Sequence, residues 1–369
     1  MSVIGSVIAD VDTPALLVDL EKLDANIRRY ARAAAEAGVR LRPHIKTHKT
    51  LQITEKQLKA GAGGVTAAKL SEAEVFVEAG VNDIFIAYPV VGREKARHAA
   101  QLARRCHLIV GVESEQGIRQ LSDAAVEAGA TIFVRVEIDS GLKRTGVVPE
   151  AAEALCRLAL AAPGLQLDGI FTFRSTMFAG APSKDARVLG EQEGQLMVAL
   201  AEQLRAAGIP IKAVSVGSTP TGFAAARVPG ITEVRPGTYV FFDRMTTQVG
   251  TSSAQEISLS ILASVVSRPA PDMAVIDAGS KVFCGDVIPA NAGLAGYGAT
   301  TDGRGVVVRM SEEHGIVQLA DGFAPEIGEK LAFYPNHVCT TVNLSDEVLV
   351  VQDGVVQDVW PVVARGKRQ

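Results

Sequence analysis

From about Glu21 onward, short apolar runs alternate with longer amphipathic stretches. Apolar residues at helical spacing predict helices over residues 23–36, 51–60, 71–79, 94–105, 114–128, 150–161 and 184–207, with Ser71 as an N-cap and a short helical piece at 222–226. Between them lie runs that read as strands: 39–43, 64–68, 83–88, 107–112, 131–139, 165–173, 211–217 and 232–235. Eight strands alternating with helices imply a parallel sheet, and at this length they fit a closed (β/α)8 barrel better than an open sheet. No GxGxxG follows a strand and no GxxxxGK[ST] occurs, which counts against an open nucleotide-binding sheet.

After about Gly250 the helical period disappears. Strand-like runs at 258–264, 273–277, 305–309, 315–319, 330–333, 348–352 and 355–360 are separated by Gly, Asp and Pro turns, the pattern of an antiparallel β-domain. The expected architecture is therefore α/β: a (β/α)8 TIM-like barrel over residues 20–255 and a C-terminal antiparallel β-domain over 256–369, completed by an N-terminal strand within 1–19.

Composition narrows the function. Of 369 residues, 47% are apolar, enough for a large core, and a net charge of −4 argues against nucleic-acid or membrane-surface partners. No apolar run approaches the ~18 residues of a membrane helix. The opening MSVIGSVIADVDTP lacks a basic region and a long apolar core, so no secretory signal is expected. Cys106, Cys156, Cys284 and Cys339 form no CxxC pair, as in a reduced, cytoplasmic protein.

Three stretches carry candidate chemistry. In RLRPHIKTHKT (residues 40–50), an extended backbone would put Arg42, His44, Lys46 and His48 on one face. Barrel active sites gather at the C-terminal ends of strands, so this row is either catalytic or a solvated basic loop. After the seventh strand, GSTPTG (217–222) is either a turn or an anion cradle of backbone N–H groups. The following EVRPGTY would bring Gly237 and Tyr239 to the same mouth. A lysine at one strand end and a phosphate cradle at another suit pyridoxal 5'-phosphate (PLP), bound covalently to the lysine amine. In PNHVCTTVNL, His337 and Cys339 would point the same way from a strand, as a divalent-metal pair suited to zinc or as a half-buried His beside a buried Cys.

Taken together, RPHIKTHK, IDSGLKRTG, GSTPTG, EVRPGTYVFFD and PNHVCTTVNL resemble the D-threonine aldolase and D-serine dehydratase family, fold-type III PLP enzymes with an alanine-racemase-like barrel. The resemblance runs from Asp12 to Pro361. It implies that Lys46 carries PLP, that Arg144 faces the pyridine nitrogen, and that Gly217, Ser218, Thr219, Gly237 and Tyr239 surround the phosphate. It further implies that His337 and Cys339 hold a divalent metal (Zn, Mn or Mg) near the hydroxyl of a small D-amino acid substrate, in a homodimer.

One segment departs from the family. Family members usually carry Tyr and His just after the sixth strand, where this chain reads FTFRSTMF, and no histidine occurs between His107 and His314. Ser175, Thr176 or a metal-bound water would then serve the β-hydroxyl, with His44 beside the lysine and Arg174 facing the substrate as a cation. The HxC pair is more typical of the dehydratases of D-serine and D-threo-3-hydroxyaspartate, whereas the ending DVWPVVARG looks like the aldolases. The resemblance favours D-threonine aldolase-like retro-aldol cleavage, with dehydration as the alternative. A racemase of the same fold is a third reading, with Tyr297 as its second base.

Overall fold

The structure, a computed structural model, describes residues 3–178, 181–182, 185–286 and 293–369; Lys184, expected to open a helix, lies outside the described residues. The chain divides into two compact units. One comprises Arg28–Lys46, Ile53–Gly237 and Gly366–Gln369, the other Met1–Ile27, Thr47–Gln52 and Thr238–Arg365.

The first unit holds eight parallel strands: Arg40–Leu41, Val65–Ala67, Asp83–Pro89, His107–Val112, Ile132–Ile138, Leu165–Thr172, Ala213–Val216 and Glu233–Val234. The second to the eighth pair in chain order and the eighth pairs with the first. A parallel bridge between His44 and Thr66 joins the first to the second and closes the ring. This is the expected TIM-like barrel. Its central strands read as continuous apolar runs because both faces are covered: Ile84, Phe85, Ile86, Leu108, Ile109 and Val110 are all buried. Helix ends follow local chemistry. The Ser114 side chain accepts the Gly117 N–H at the start of Glu115–Ala128, and Gly129, at φ 59°, ends that helix. Ser71 is not a cap: Lys69 precedes the helix Leu70–Glu78, and Ser71 lies in its first turn.

Charge runs through the barrel's inside. Glu233 on the eighth strand accepts Arg42 Nε at 2.7 Å from the first strand's end and Arg135 Nη1 at 2.5 Å from the fifth. The fifth and eighth strands are not neighbours, so this contact crosses the interior. Ser215 donates to the same carboxylate at 2.7 Å, Arg42 reaches Asp83 at 2.6 Å, and Arg135 reaches Asp168 at 2.7 Å. Burial alone would raise Glu233, but Arg135 and Arg42 hold its carboxyl far below the ordinary range. Gly64 makes room for this. A Cβ there would come within 2.4 Å of Arg42 Nη1, at a φ of +134° that side chains avoid.

The second unit contains a nine-stranded sheet. Its order is Met273–Ile276, Gly315–Leu319, Gly305–Met310, Gly298–Thr300, Lys330–Pro335, Leu259–Ala270, Ala15–Asp19, Glu347–Gln352 and Val355–Pro361. Leu259–Ala270 also pairs with Met273–Ile276, closing the first six into an antiparallel ring. Alternation is clear in Lys330–Pro335, where every second residue is buried. Ala15–Asp19 pairs antiparallel with Leu259–Ala270 and parallel with Glu347–Gln352. Among the described residues, no helix is long and apolar enough to cross a membrane.

Replacing Glu233 by Gln should cost about 3–5 kcal/mol at pH 7, because two buried guanidinium groups lose their anion. The native carboxyl is depressed, so its contribution is complete above the unfolded value of about 4.3 and drains away as pH falls below it. Urea unfolding should therefore show the gap between wild type and variant narrowing at about pH 3.

Candidate active site

The first barrel strand stops at Leu41, and Ile45–Thr47 form a 3₁₀ turn. This corrects the expected single basic face, since a three-residue turn does not keep i and i+2 on one side. Arg42 points into the barrel and His48 is fully buried, whereas His44 and Lys46 are half-buried. His44 Nδ1 accepts the Lys46 N–H at 3.4 Å. The Lys46 amine lies 5.9 Å from the centre of the Phe173 ring, and the Arg144 guanidinium lies 4.8 Å from the same ring. Asp139 folds the loop that carries Arg144, accepting the N–H groups of Gly141 at 2.9 Å and Lys143 at 3.0 Å. Two basic residues about a hundred positions apart thus meet at one aromatic ring.

The loop after the seventh strand is tightly organised. Gly217 has φ +102°, and a Cβ there would sit 2.9 Å from Val234 Cγ2 and 3.1 Å from Gly222 Cα, so only glycine leaves the loop its concave path. The hydroxyls of Ser218 and Thr221 lie 2.9 Å apart, and Gly237 N–H donates to Thr219 Oγ1 at 3.2 Å. Gly217, Ser218, Thr219 and Gly237 therefore come together. Tyr239 belongs to the other compact unit and is fully buried there, in the 3₁₀ turn Thr238–Val240.

Behind the loop sits Glu193, on the helix Ala186–Ala206 and fully buried. It accepts Gly217 N–H and Thr221 Oγ1, each at 3.0 Å. Burial raises its carboxyl above the ordinary value; those two donors and the charges of Arg235 and Arg174 oppose the rise. Arg174, expected to face the substrate as a cation, lies two residues beyond the end of the sixth strand. Arg174 is 3% exposed and donates to Gln192 Oε1 at 3.2 Å, with burial lowering its pKa and the Glu193 charge countering that. A guanidinium taken out of water needs a counter-charge, and Glu193 supplies one. Ser175, at φ 56°, and Thr176 form a half-buried turn beyond it.

In the other unit, the strand expected at 337–339 is a helix. His337 is the residue before Val338–Leu344, and Cys339 lies in the first turn. The two side chains still meet through a hydrogen bond. His337 Nδ1 is 3.1 Å from Asp243 Oδ2, which also accepts the Val338 N–H at 3.2 Å. Burial would lower the imidazole, but the Cys339 sulfur and Asp243 raise it well above its ordinary value. Thr47 Oγ1 lies 3.4 Å from Cys339 Sγ. With Nδ1 held by a carboxylate, Nε2 is the ring nitrogen a metal would take, in place of the hydrogen bond to Cys339, the usual way a ligating His is oriented. Imidazole plus thiolate is a donor set that suits zinc. Among the described residues, no group of three or more His, Cys, Asp or Glu could hold an ion, so this pair would leave coordination positions open. Tyr297 is half-buried in this unit, its N–H bonded to the Val307 carbonyl.

Sequence reasoning missed two residues. Asp243 closes the EVRPGTYVFFD motif, and nothing in its spacing tied it to a histidine almost a hundred positions on. Glu193 was findable: it interrupts the buried stripe Leu189, Gly190, Gly194, Met197, and a lone carboxyl on an apolar helix face calls for partners.

The family described as alanine racemase, N-terminal domain, matches residues 18–245, and that described as putative serine dehydratase domain matches residues 258–351. The chain is 37% identical over 372 residues to a D-threonine aldolase of Arthrobacter sp., covering 98% of this chain and 95% of that one. It is also 37% identical over 349 residues to a D-threo-3-hydroxyaspartate dehydratase of Delftia sp. (strain HT23), covering 90% and 92%. The crystal structure of a D-threonine aldolase from Filomicrobium marinum superposes with a TM-score of 0.89 at 34% identity, covering all of both chains.

Glu193→Ala should destabilise the protein by about 2–3 kcal/mol, because two buried donors lose their acceptor. Glu193→Gln, which keeps an acceptor oxygen, should cost less than half of that in the same denaturant titration.

Proposed function

The chain belongs to the D-threonine aldolase and D-serine dehydratase family, and on that premise we propose that it is a PLP-dependent, metal-assisted lyase of D-β-hydroxy amino acids, working by retro-aldol cleavage to glycine and an aldehyde. The observation that carries the proposal is the meeting of Lys46 and Arg144 at Phe173 in the unit that also holds the Gly217–Thr219 loop. Lys46 would hold the cofactor covalently, Arg144 would meet its ring nitrogen, and Gly217, Ser218, Thr219 and Gly237 would receive its phosphate, with Tyr239 two residues further along the chain. Bound there, PLP supplies an electron sink for bond breaking at the substrate's α-carbon. Arg144 is permanently charged, so it donates hydrogen bonds and gives up no proton.

His337 and Cys339 would hold one divalent ion, which supplies a Lewis acid for the substrate hydroxyl. Asp243 fixes the ring of His337, and the thiol of Cys339 is accompanied by the hydroxyl of Thr47. Ser175 and Thr176 follow Phe173 by two and three residues, and His44 contacts the Lys46 amide, so these are the groups proposed to orient the substrate hydroxyl and the lysine.

Dehydration is the second reading. The thiol in the metal pair favours it, and a cysteine-to-alanine variant of a D-threo-3-hydroxyaspartate dehydratase, 34% identical with a TM-score of 0.88, was solved in a metal-free form.

The holoenzyme should release glycine from D-threonine. Ammonia and a keto acid from D-serine or D-threo-3-hydroxyaspartate, without glycine, would replace cleavage by dehydration, and inverted amino acid alone would mean a racemase. Borohydride reduction followed by peptide mapping should place the pyridoxyl label on Lys46; a label on Lys49 or Lys69 overturns the assignment.

Chelation should abolish turnover with little change in melting temperature. Asp243→Asn should weaken metal binding about 10- to 100-fold in a direct titration.

A further inference from the structure

Glu193 is a buried carboxyl that the reaction does not need. Both of its oxygens are taken by the loop proposed to receive the cofactor's phosphate: Oε1 by Gly217 N–H and Oε2 by the Thr221 hydroxyl, each at 3.0 Å. An anion held by this loop would therefore stand one hydrogen-bonded layer in front of a second anion, away from water. Two charges about 7 Å apart at an effective dielectric near 20 repel strongly enough to favour protonation of the weaker acid roughly tenfold or more.

The cations facing Glu193 follow the sixth and eighth strands, which flank the seventh, and both are already engaged. Arg235 donates to Ser215 Oγ and to the Thr172 carbonyl, each at 2.5 Å, and Arg174 donates to Gln192. Burial pushes Arg235 down to about 10, and the charges of Glu233, Glu193 and Glu137 oppose that fall. Burial already raises the Glu193 carboxyl before any anion arrives.

We propose that Glu193 is a proton-holding positioning residue, which fixes the Gly217–Thr221 loop through two hydrogen bonds and takes up one proton when that loop binds the phosphate of PLP. The proton comes from solvent and stays on the carboxyl; no covalent bond at Glu193 forms or breaks. Either protonation state can accept the Gly217 N–H, and the neutral acid can donate to the Thr221 hydroxyl, so the loop keeps its shape while the local charge falls by one. Arg174, the residue that departs from the family pattern, then balances the Glu193 carboxylate in the unloaded state and the bound anion in the loaded one.

The inference rests on the PLP reading, and the experiment separates the two. PLP is titrated into the apoprotein by calorimetry at pH 8 in buffers of different ionisation enthalpy, for wild type and for Glu193→Gln. Wild type should take up close to one more proton per PLP than the variant, and the variant's affinity should be equal or higher. Equal proton counts in the two proteins overturn the proposal.

Sulfate, a dianion at every pH used, is the second probe. Its affinity for the wild-type apoprotein should fall about tenfold or more between pH 5 and pH 8 relative to Glu193→Gln. If PLP fails to bind wild type, the lyase reading falls while the sulfate arm still decides the role of Glu193; if sulfate shows no such difference, the proposal falls. Glu193→Asp, which keeps the charge on a shorter arm, covers the case in which Gln does not fold, and it should retain the proton uptake with a weaker loop.

Discussion

A single carboxylate organises the barrel. Glu233 is held inside the ring by Arg42 and Arg135, and the geometry around it explains features that look unrelated. Arg42 must turn inward to reach it, so the first strand ends at Leu41 and the chain leaves through the 3₁₀ turn that carries Lys46. Gly64 must lack a side chain so that Arg42 can pass. Ser215 binds the same carboxylate and passes the contact on to Arg235, whose guanidinium stacks near Phe85 and Phe171. Buried ion pairs often contribute little net stability, but removing one partner is costly, so such a cluster fixes one arrangement against its alternatives.

The sequence is most legible where one period dominates. The central barrel strands stand out because parallel strands covered on both faces need uninterrupted apolar runs, and Ile84–Ile86 and Leu108–Val110 supply them. The β-domain strands show by alternation and turns, except Gly298–Thr300, which is too short to carry a pattern. Reading fails where a local rule is applied beyond its element. Alternation assumes a strand, and neither the Lys46 segment nor the His337–Cys339 segment is one. In the second case Val338, Thr340, Thr341 and Val342 have strand-like chemistry, yet they form a helix, with Thr341 donating to the His337 carbonyl and Asp243 accepting the Val338 N–H. Asp243 and Glu193 show the other limit: their partners are distant in sequence, and no spacing rule connects them.

Asp243 combines two tasks. One oxygen accepts the Thr246 N–H and hydroxyl at 2.9 Å each, capping the helix Arg244–Gln248, and the other meets His337 and Val338. A residue that both starts a helix and sets a ring's orientation ties the position of the ring to that of the backbone. It leaves the imidazole little freedom to rotate.

The placement of Ala15–Asp19 has a consequence for biogenesis. This strand is synthesised before every barrel strand, but its antiparallel neighbour begins at Leu259 and its parallel neighbour at Glu347. Until those segments are made, both of its edges have no partner of their own sheet. An apolar strand left waiting with open backbone groups is a template for pairing with other chains. The nascent chain is thus most exposed to misassembly while its barrel strands are emerging, and the sheet becomes complete only when Glu347–Gln352 and Val355–Pro361 arrive.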